Sequence, residues 1–388
     1  MAVTVRSFAK INLGLSIGPL RPDGFHELRT VYQTIALHDI IRVRVARGTG
    51  IEIQCEDARV PRDESNTCFR MAEKAMAALK AKGRVVVKIE KRLPVQGGLG
   101  GASGNAVAAL LALEREVKKS LPGTERLRIA GEVGSDLPLF LIGGTVLGVG
   151  RGEEVYPLPD LPATACVVVT PEIAVSTPKA FADWDGMWGA GELAGETAEG
   201  PGPAGPGRRP GPTQEFEAAE LRSAGTAEGG RPHVSLSHVS RLGPKLTVSA
   251  PSDRITELGR RISAGLSGLS GVPGGRSRGR AETPLLDLVR TGIENDFERV
   301  VFPQYPELCE VKRVLERAGA LYASLSGSGS ALYGLFASVQ AAKKAEARLR
   351  KSGFPAVATA TLTRRQYWKS SFWLPAPSQK RLIGGARS

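Results

Sequence analysis

Cysteine is scarce in this chain. Only Cys55, Cys68, Cys166 and Cys309 occur, and their spacings fit no Cys-x-x-Cys or zinc-ligand pattern. That excludes a zinc–cysteine centre, and free thiols in a chain of 388 residues fit a reducing cytoplasm. Long apolar runs are also missing. No uncharged apolar stretch reaches about 18 residues, so no membrane span is expected. The N-terminus has no basic segment followed by an apolar run, so no signal peptide is expected. Acidic residues are absent from Arg364 to Ser388, where Arg364, Arg365, Lys369, Lys380, Arg381 and Arg387 fall. Finally, no Lys follows the densest glycine loop, which excludes a Walker A site.

What is present begins with that loop, Pro94-Val95-Gln96-Gly97-Gly98-Leu99-Gly100-Gly101-Ala102-Ser103-Gly104-Asn105. A strand candidate, Val85 to Ile89, precedes it, and an apolar helix candidate, Ala106 to Leu113, follows. Strand, glycine loop and helix together suit an anion. Glycine lets backbone N–H groups approach closely, and the helix N-terminus adds free N–H groups and the positive end of its dipole. The dinucleotide pattern GxGxxG begins at Gly98 but meets Ser103 where its last Gly or Ala belongs. The plain alternative is a strand-to-helix turn with no ligand.

The composition, 41% hydrophobic, can supply a sizeable core, and the length accommodates two domains. The formal charge of +13 suits an acidic partner: nucleic acid, an anionic membrane or a polyphosphate metabolite. The basic tail reads first as a solvated end. Tyr367, Trp368, Phe372 and Trp373 interleave there, so RNA or membrane contact is the alternative.

Short strand-like and helix-like segments alternate in the first half, which suggests an α+β fold. Val3 to Leu15 reads as strand, and Ile40 to Val45 alternates at period two. Phe69 to Lys80 reads as a helix capped by Ser65 or Asn66. Gly143-Gly144 separates an apolar run, Pro138 to Ile142, from Thr145 to Val149, and Ala165 to Thr170 reads as a buried strand. From Gly186 to Glu282, Gly, Pro, Ala, Ser and Arg dominate, and this stretch is expected to be largely disordered. Order resumes at Pro284 to Val289, followed by a helix from Leu308 to Ala318 and a strand–turn–strand around Ser326-Gly327-Ser328-Gly329-Ser330.

Four further motifs carry chemistry. In Lys10-Ile11-Asn12-Leu13-Gly14-Leu15, alternation puts Lys10 and Asn12 on one strand face and Ile11, Leu13 and Leu15 on the other. Pro22 to Glu27 is a turn that carries Phe25 and His26, a ring that could stack and one that could read an edge. Gly134-Ser135-Asp136-Leu137-Pro138 offers one carboxylate, either a cap or a base. The Ser326 to Ser330 turn offers backbone N–H groups to a ligand.

Taken together, three of these motifs resemble those of the GHMP kinase superfamily in their usual order: Lys10 to Leu15, Pro94 to Asn105, and Leu325 to Ala331. Within it, Arg21 to Leu28, Gly134 to Phe140 and Glu294 to Glu298 resemble the members whose acceptor carries a cytidine diphosphate group, in the non-mevalonate isoprenoid route. The resemblance implies a two-domain α+β fold with the active site in the cleft. It places an ATP-binding domain at residues 1–160 and a C-terminal domain at 161–185 and 283–362. An insertion at 186–282 and a basic tail at 363–388 complete the chain.

The implied reaction is ATP-dependent phosphorylation of a hydroxyl on a small-molecule acceptor. Asp136 would take or orient the hydroxyl proton, and Lys10 would hold that Asp. Pro94, Gly97, Gly98, Leu99, Gly100, Gly101, Ala102, Ser103 and Gly104 would cradle ATP, with Mg²⁺ held mainly by the nucleotide. Asn66 would lie near the adenine. Phe25 and Phe181 would sandwich the cytosine, His26 would read its edge, and Asn12 and Thr177 would line the acceptor pocket. No nucleic-acid or membrane partner is implied. The family loop usually carries two adjacent serines, and here the second is Gly104. Another kinase of the superfamily, for mevalonate or homoserine, is the alternative; a basic nucleic-acid-binding protein is the reading from a different class.

Overall fold

The structure is a computed structural model that describes residues 2–95, 97–192 and 294–372. Among these, residues up to Met187 and from 294 onward fall in one compact unit; a second, Trp188–Val248, is described only through Glu192. The expected disorder beyond 192, the ordered run at Pro284–Val289 and the tail beyond Phe372 lie outside the described residues.

Two long strands form the frame. β1 (Val3–Leu20) pairs antiparallel with β2 (His26–Ala46) through the tight turn at Pro22–Phe25. On its other side β2 pairs with β4 (Arg84–Glu90) at one end and β5 (Thr145–Val149) at the other. β3 (Ile51–Cys55) and β6 (Glu154–Pro157) complete this six-stranded sheet. Four helices contribute to its core: α1 (Thr67–Ala78), α2 (Gly101–Glu116), α3 (Gly123–Val133) and α4 (Leu137–Ile142).

The second sheet has the order β10-β7-β9-β8: β7 (Ala165–Val169), β8 (Tyr322–Leu325), β9 (Leu332–Phe336) and β10 (Ala356–Ala360). Helices α5 (Thr177–Glu192), α6 (Glu298–Gln304), α7 (Pro306–Arg317) and α8 (Val339–Lys351) accompany it. β1 serves both cores. Ile11 and Leu13 are fully buried with Val168, Tyr333 and Leu335 of the second sheet. Strand alternation then turns Lys10 and Asn12 the opposite way. That shared face is not solvated: Lys10 and Asn12 are 3% and 1% exposed. Register shifts at Phe8/Ala9 and Asn12/Gly14 bracket the two residues, and such irregularities re-aim side chains next to functional sites.

The tail departs from its expectation as a solvated end. Arg364–Ser371 forms a helix, α9, opened by a capping box between Thr363 and Gln366. Its aromatic residues pack inward: Tyr367 is buried, and Trp368 and Phe372 lie against the first core. Among the described residues no helix is long and apolar enough to cross a membrane.

Candidate active site

The glycine loop lies between the two sheets and is tied to both. The Leu99 carbonyl accepts from Lys10 N on β1 at 2.9 Å. The Gly98 carbonyl accepts from the Ser326 hydroxyl at 2.9 Å, and the Gly97 carbonyl accepts from Ala331 N at 3.3 Å. Gly98 has φ +69° and lies so close to the Ser326 carbonyl that a Cβ would collide with it. Helix α2 begins at Gly101 with Gly100 as a left-handed cap and no side-chain cap, so its first-turn N–H groups are free for a ligand.

A cavity of about 340 Å³ lies on one side of this loop. Pro94, Gly97 to Ser103 and Asn66 line it, as expected of a nucleotide site. Asn66 also caps α1: its Oδ1 accepts from Cys68 N at 2.8 Å, and its Nδ2 donates to the Pro61 carbonyl at 2.6 Å. Gly104, expected with the cradle, is not part of this lining. It lies in the first turns of α2, where a Cβ would stand 2.9 Å from both the Phe8 carbonyl oxygen and the Ser7 hydroxyl. Glycine there answers to packing against β1 and not to the cavity.

One feature of this side has no mark in the sequence. Lys91 lines the cavity, and its Nζ is 2.6 Å from Asp39, a fully buried carboxylate on β2. Asp39 also accepts from Arg92 N and Leu93 N at 2.7 Å each and from Asn105 Nδ2 at 2.9 Å. One carboxylate thus fixes the residues just before the loop and the helix just after it. Each charge-assisted bond offsets part of the cost of burying the pair.

The other side opens into a cavity of about 690 Å³, and Gly98 lines both cavities. Lys10 Nζ donates to Asn12 Oδ1 at 2.7 Å and lies 3.4 Å from Asp136 Oδ2. Asn12 Nδ2 donates to the Thr30 hydroxyl at 2.7 Å, which donates to the Gly14 carbonyl at 2.8 Å. Asp136 sits at the N-cap of α4 with its side chain making no cap bond and 34% exposed. Its Oδ1 accepts from the Tyr32 hydroxyl at 3.0 Å. Burial, and then the Asp136 charge, hold the Tyr32 phenol well above its usual range, so Tyr32 stays a neutral donor. Lys10 and Asp136 therefore form a fixed pair with one carboxylate flank open to the cavity.

At the far end, the His26 and Phe181 rings stack at 4.9 Å and 9°, and Phe181 meets Phe297 edge-on at 4.9 Å. His26 Nε2 lies 2.7 Å from Asp185 Oδ1. Phe25, 43% exposed, lies 5.0 Å from the Arg151 guanidinium. Phe25 and Phe181 line the same cavity, yet one face of Phe181 is covered by His26 and not left free for a second aromatic partner. Thr177, at the start of α5, shares a 2.7 Å hydrogen bond with the Ser328 hydroxyl in the C-terminal glycine turn. Asn295 holds that turn by donating to the Leu325 and Gly327 carbonyls at 2.9 and 2.8 Å. Tyr32, Arg151 and Asp185 also line this cavity, and no motif in the sequence singles them out; Phe297 and Ser328, which line it too, fall in the Glu294–Glu298 and Ser326–Ser330 motifs, which give them no role of their own.

The chain resembles known proteins over most of its length. The family described as GHMP kinases N terminal domain matches residues 66–144, and GHMP kinases C terminal matches residues 282–355. A 4-diphosphocytidyl-2-C-methyl-D-erythritol kinase from Solibacter usitatus (strain Ellin6076) is 36% identical over 334 residues, 86% of this chain and 80% of that protein. Its counterpart from Synechococcus elongatus is 30% identical over 90% of this chain and 91% of that protein. Among solved structures, a 4-(cytidine 5'-diphospho)-2C-methyl-D-erythritol kinase superposes with a TM-score of 0.59 at 26% identity, covering 92% of this chain and 98% of its own. A homoserine kinase from Cytophaga hutchinsonii also gives 0.59, at 18% identity over 93% of this chain and 95% of its own, and so shares the fold.

Proposed function

The chain belongs to the 4-diphosphocytidyl-2-C-methyl-D-erythritol kinases of the GHMP kinase superfamily, and on that premise we propose that it moves the γ-phosphoryl group of ATP to the 2-hydroxyl of that diphosphocytidyl alcohol. The observation that carries the reading is the placement of two cavities on either side of one glycine loop, with the Lys10–Asp136 pair on the larger side. The reading divides the chain into a nucleotide-binding part, residues 1–160, and a C-terminal part, 161–185 with 283–362.

ATP binds on the smaller side. The loop N–H groups and the α2 N-terminus receive its phosphates, Lys91 lies beside Gly101 at that end, and Asn66 flanks the base. The acceptor enters the larger side with its cytosine near Phe25, His26 and Phe181, while Asn12 and Thr177 face its polyol. Asp136 takes the proton of the attacking hydroxyl as that oxygen bonds to phosphorus and the bond to the ADP oxygen breaks. Lys10 keeps Asp136 oriented and opposes the negative charge on the transferring group. Mg²⁺ would arrive on the nucleotide phosphates and supplies neutralisation of their charge when bound. Among the described residues no group of three or more His, Cys, Asp or Glu could hold a metal ion.

A cytoplasmic location, which suits the four free cysteines, is part of the proposal. The test is ATP consumption with three acceptors: the diphosphocytidyl alcohol, mevalonate and homoserine. The reading predicts turnover with the first alone. Turnover with mevalonate or homoserine and none with the cytidyl compound would overturn it.

A further inference from the structure

The C-terminal helix α9 lies outside both cavities, yet its hydrogen bonds run to the element that carries Asp136. The Tyr367 hydroxyl donates to the Phe140 carbonyl at 2.7 Å, and Trp368 Nε1 donates to the Ile142 carbonyl at 2.9 Å. Both acceptors are on α4, whose N-cap is Asp136. Arg364 continues the clamp around the turn after α4, donating to the Gly143 carbonyl at 3.2 Å and the Thr145 carbonyl at 2.9 Å. Gly143, at φ +71°, packs so closely on the Tyr367 ring that a Cβ would collide with it.

The same helix grips the strand that carries Lys10. The Tyr367 ring lies 5.5 Å from the Phe8 ring, two residues before Lys10 on β1. Arg6 donates to the Ser370 carbonyl at 3.0 Å, and Val5 bridges to Phe372. Tyr367 thus stands between β1 and α4, the two elements whose side chains must meet at 3.4 Å for Lys10 and Asp136 to pair. A short helix of six residues has little stiffness of its own, so a partner that holds its final carbonyls fixes where its first residue points.

We propose that α9 is a latch that positions Asp136 against Lys10, with Tyr367 and Trp368 as positioning residues for phosphoryl transfer. The proposal rests on the kinase reading above. Misplacing a reacting group by about 1 Å can cost on the order of 100-fold in rate. Helix α4 also touches the nucleotide side, because a Cβ at Gly100 would lie 3.0 Å from Phe140 Cζ, so nucleotide affinity must be measured separately.

The test is the single-turnover rate of phosphoryl transfer with both ligands saturating, in the full-length chain. Tyr367→Phe removes only the hydroxyl donor, whereas Trp368→Phe removes the indole N–H together with part of a half-buried ring system. Their combination is expected to slow transfer by about 10- to 100-fold, with KM for ATP and for the acceptor within about twofold. Leu349→Ala, a fully buried change on helix α8 beside the second sheet, serves as the control for lost stability and is expected to lower Tm without slowing transfer. If the paired variant transfers at the normal rate, or loses only ATP affinity, or slows no more than Leu349→Ala, the latch is refuted. Should the pair fold poorly, Tyr367→Phe alone, which keeps its ring, is measured against the same three outcomes. Absence of transfer in the unmodified chain would instead refute the kinase reading.

Discussion

The two sides of the glycine loop are built from different materials. The nucleotide side is mostly backbone: Gly97, Gly98, Gly100 and Gly101 offer N–H groups and space, and the main supporting charge is the buried Lys91–Asp39 pair beneath them. The acceptor side is mostly side chain: Lys10, Asn12, Tyr32 and Asp136 in one connected set, and His26, Phe181 and Phe297 in another. The difference suits the ligands proposed for each side. A triphosphate asks for many donors at short range, which backbone supplies without side-chain entropy to lose. A reacting hydroxyl asks for one base and one cation in fixed geometry, which only side chains provide.

The contrast makes separable predictions. The largest effect is expected at Lys10. Lys10→Met keeps the buried stem but leaves Asn12 Oδ1 and Asp136 without their cation, and kcat should fall by about 100- to 1000-fold with ATP affinity retained. A kcat within about twofold of normal would remove Lys10 from the mechanism. Next comes Gly98→Ala on the backbone side. The left-handed φ alone costs about 1–2 kcal/mol, and the Cβ meets the Ser326 carbonyl. ATP affinity should drop by at least about tenfold, and because Gly98 lines both cavities and its Cβ meets the turn that carries Ser328, acceptor affinity should fall with it. Unchanged affinity for both ligands would take the loop away from the site. Smallest is His26→Ala, which removes a ring stacked on Phe181 and a bond to Asp185. Acceptor KM should rise by about tenfold through lost stacking and hydrogen bonding. A change confined to ATP affinity would take His26 away from the cytosine.

The same contrast governs what is legible in the sequence. The backbone side announces itself locally, because a run of glycines between a strand and a helix is its own signal. Alternation alone places Lys10 and Asn12 on one face, but their burial depends on β1 being covered on both faces, which no local pattern shows. Asp136 is assigned only through the family resemblance, since nothing near it in sequence names its partners. Its hydrogen-bond donor Tyr32 is 104 residues away, and a lone Tyr in a strand carries no mark of such a role. Asp39 is hidden for a similar reason: its four partners lie 52 to 66 residues along the chain. Helix α9 does have a local signal, the Thr363–Gln366 capping box, but the surplus of basic residues around it points toward solvent instead. The face of Phe181 taken up by His26 belongs to tertiary packing and has no trace in the spacing of either residue.

The most direct measurement is calorimetric titration of Asp136→Asn with ATP and then with the diphosphocytidyl acceptor, alongside its rate of ADP formation. Asn keeps the size of the side chain and an acceptor for the Tyr32 hydroxyl, but it cannot take a proton. The account predicts both ligands binding within about threefold of the unmodified chain and ADP formation reduced by at least about 100-fold. Near-normal ADP formation in this variant would contradict it, because the carboxylate on the acceptor side would then have no part in moving the proton.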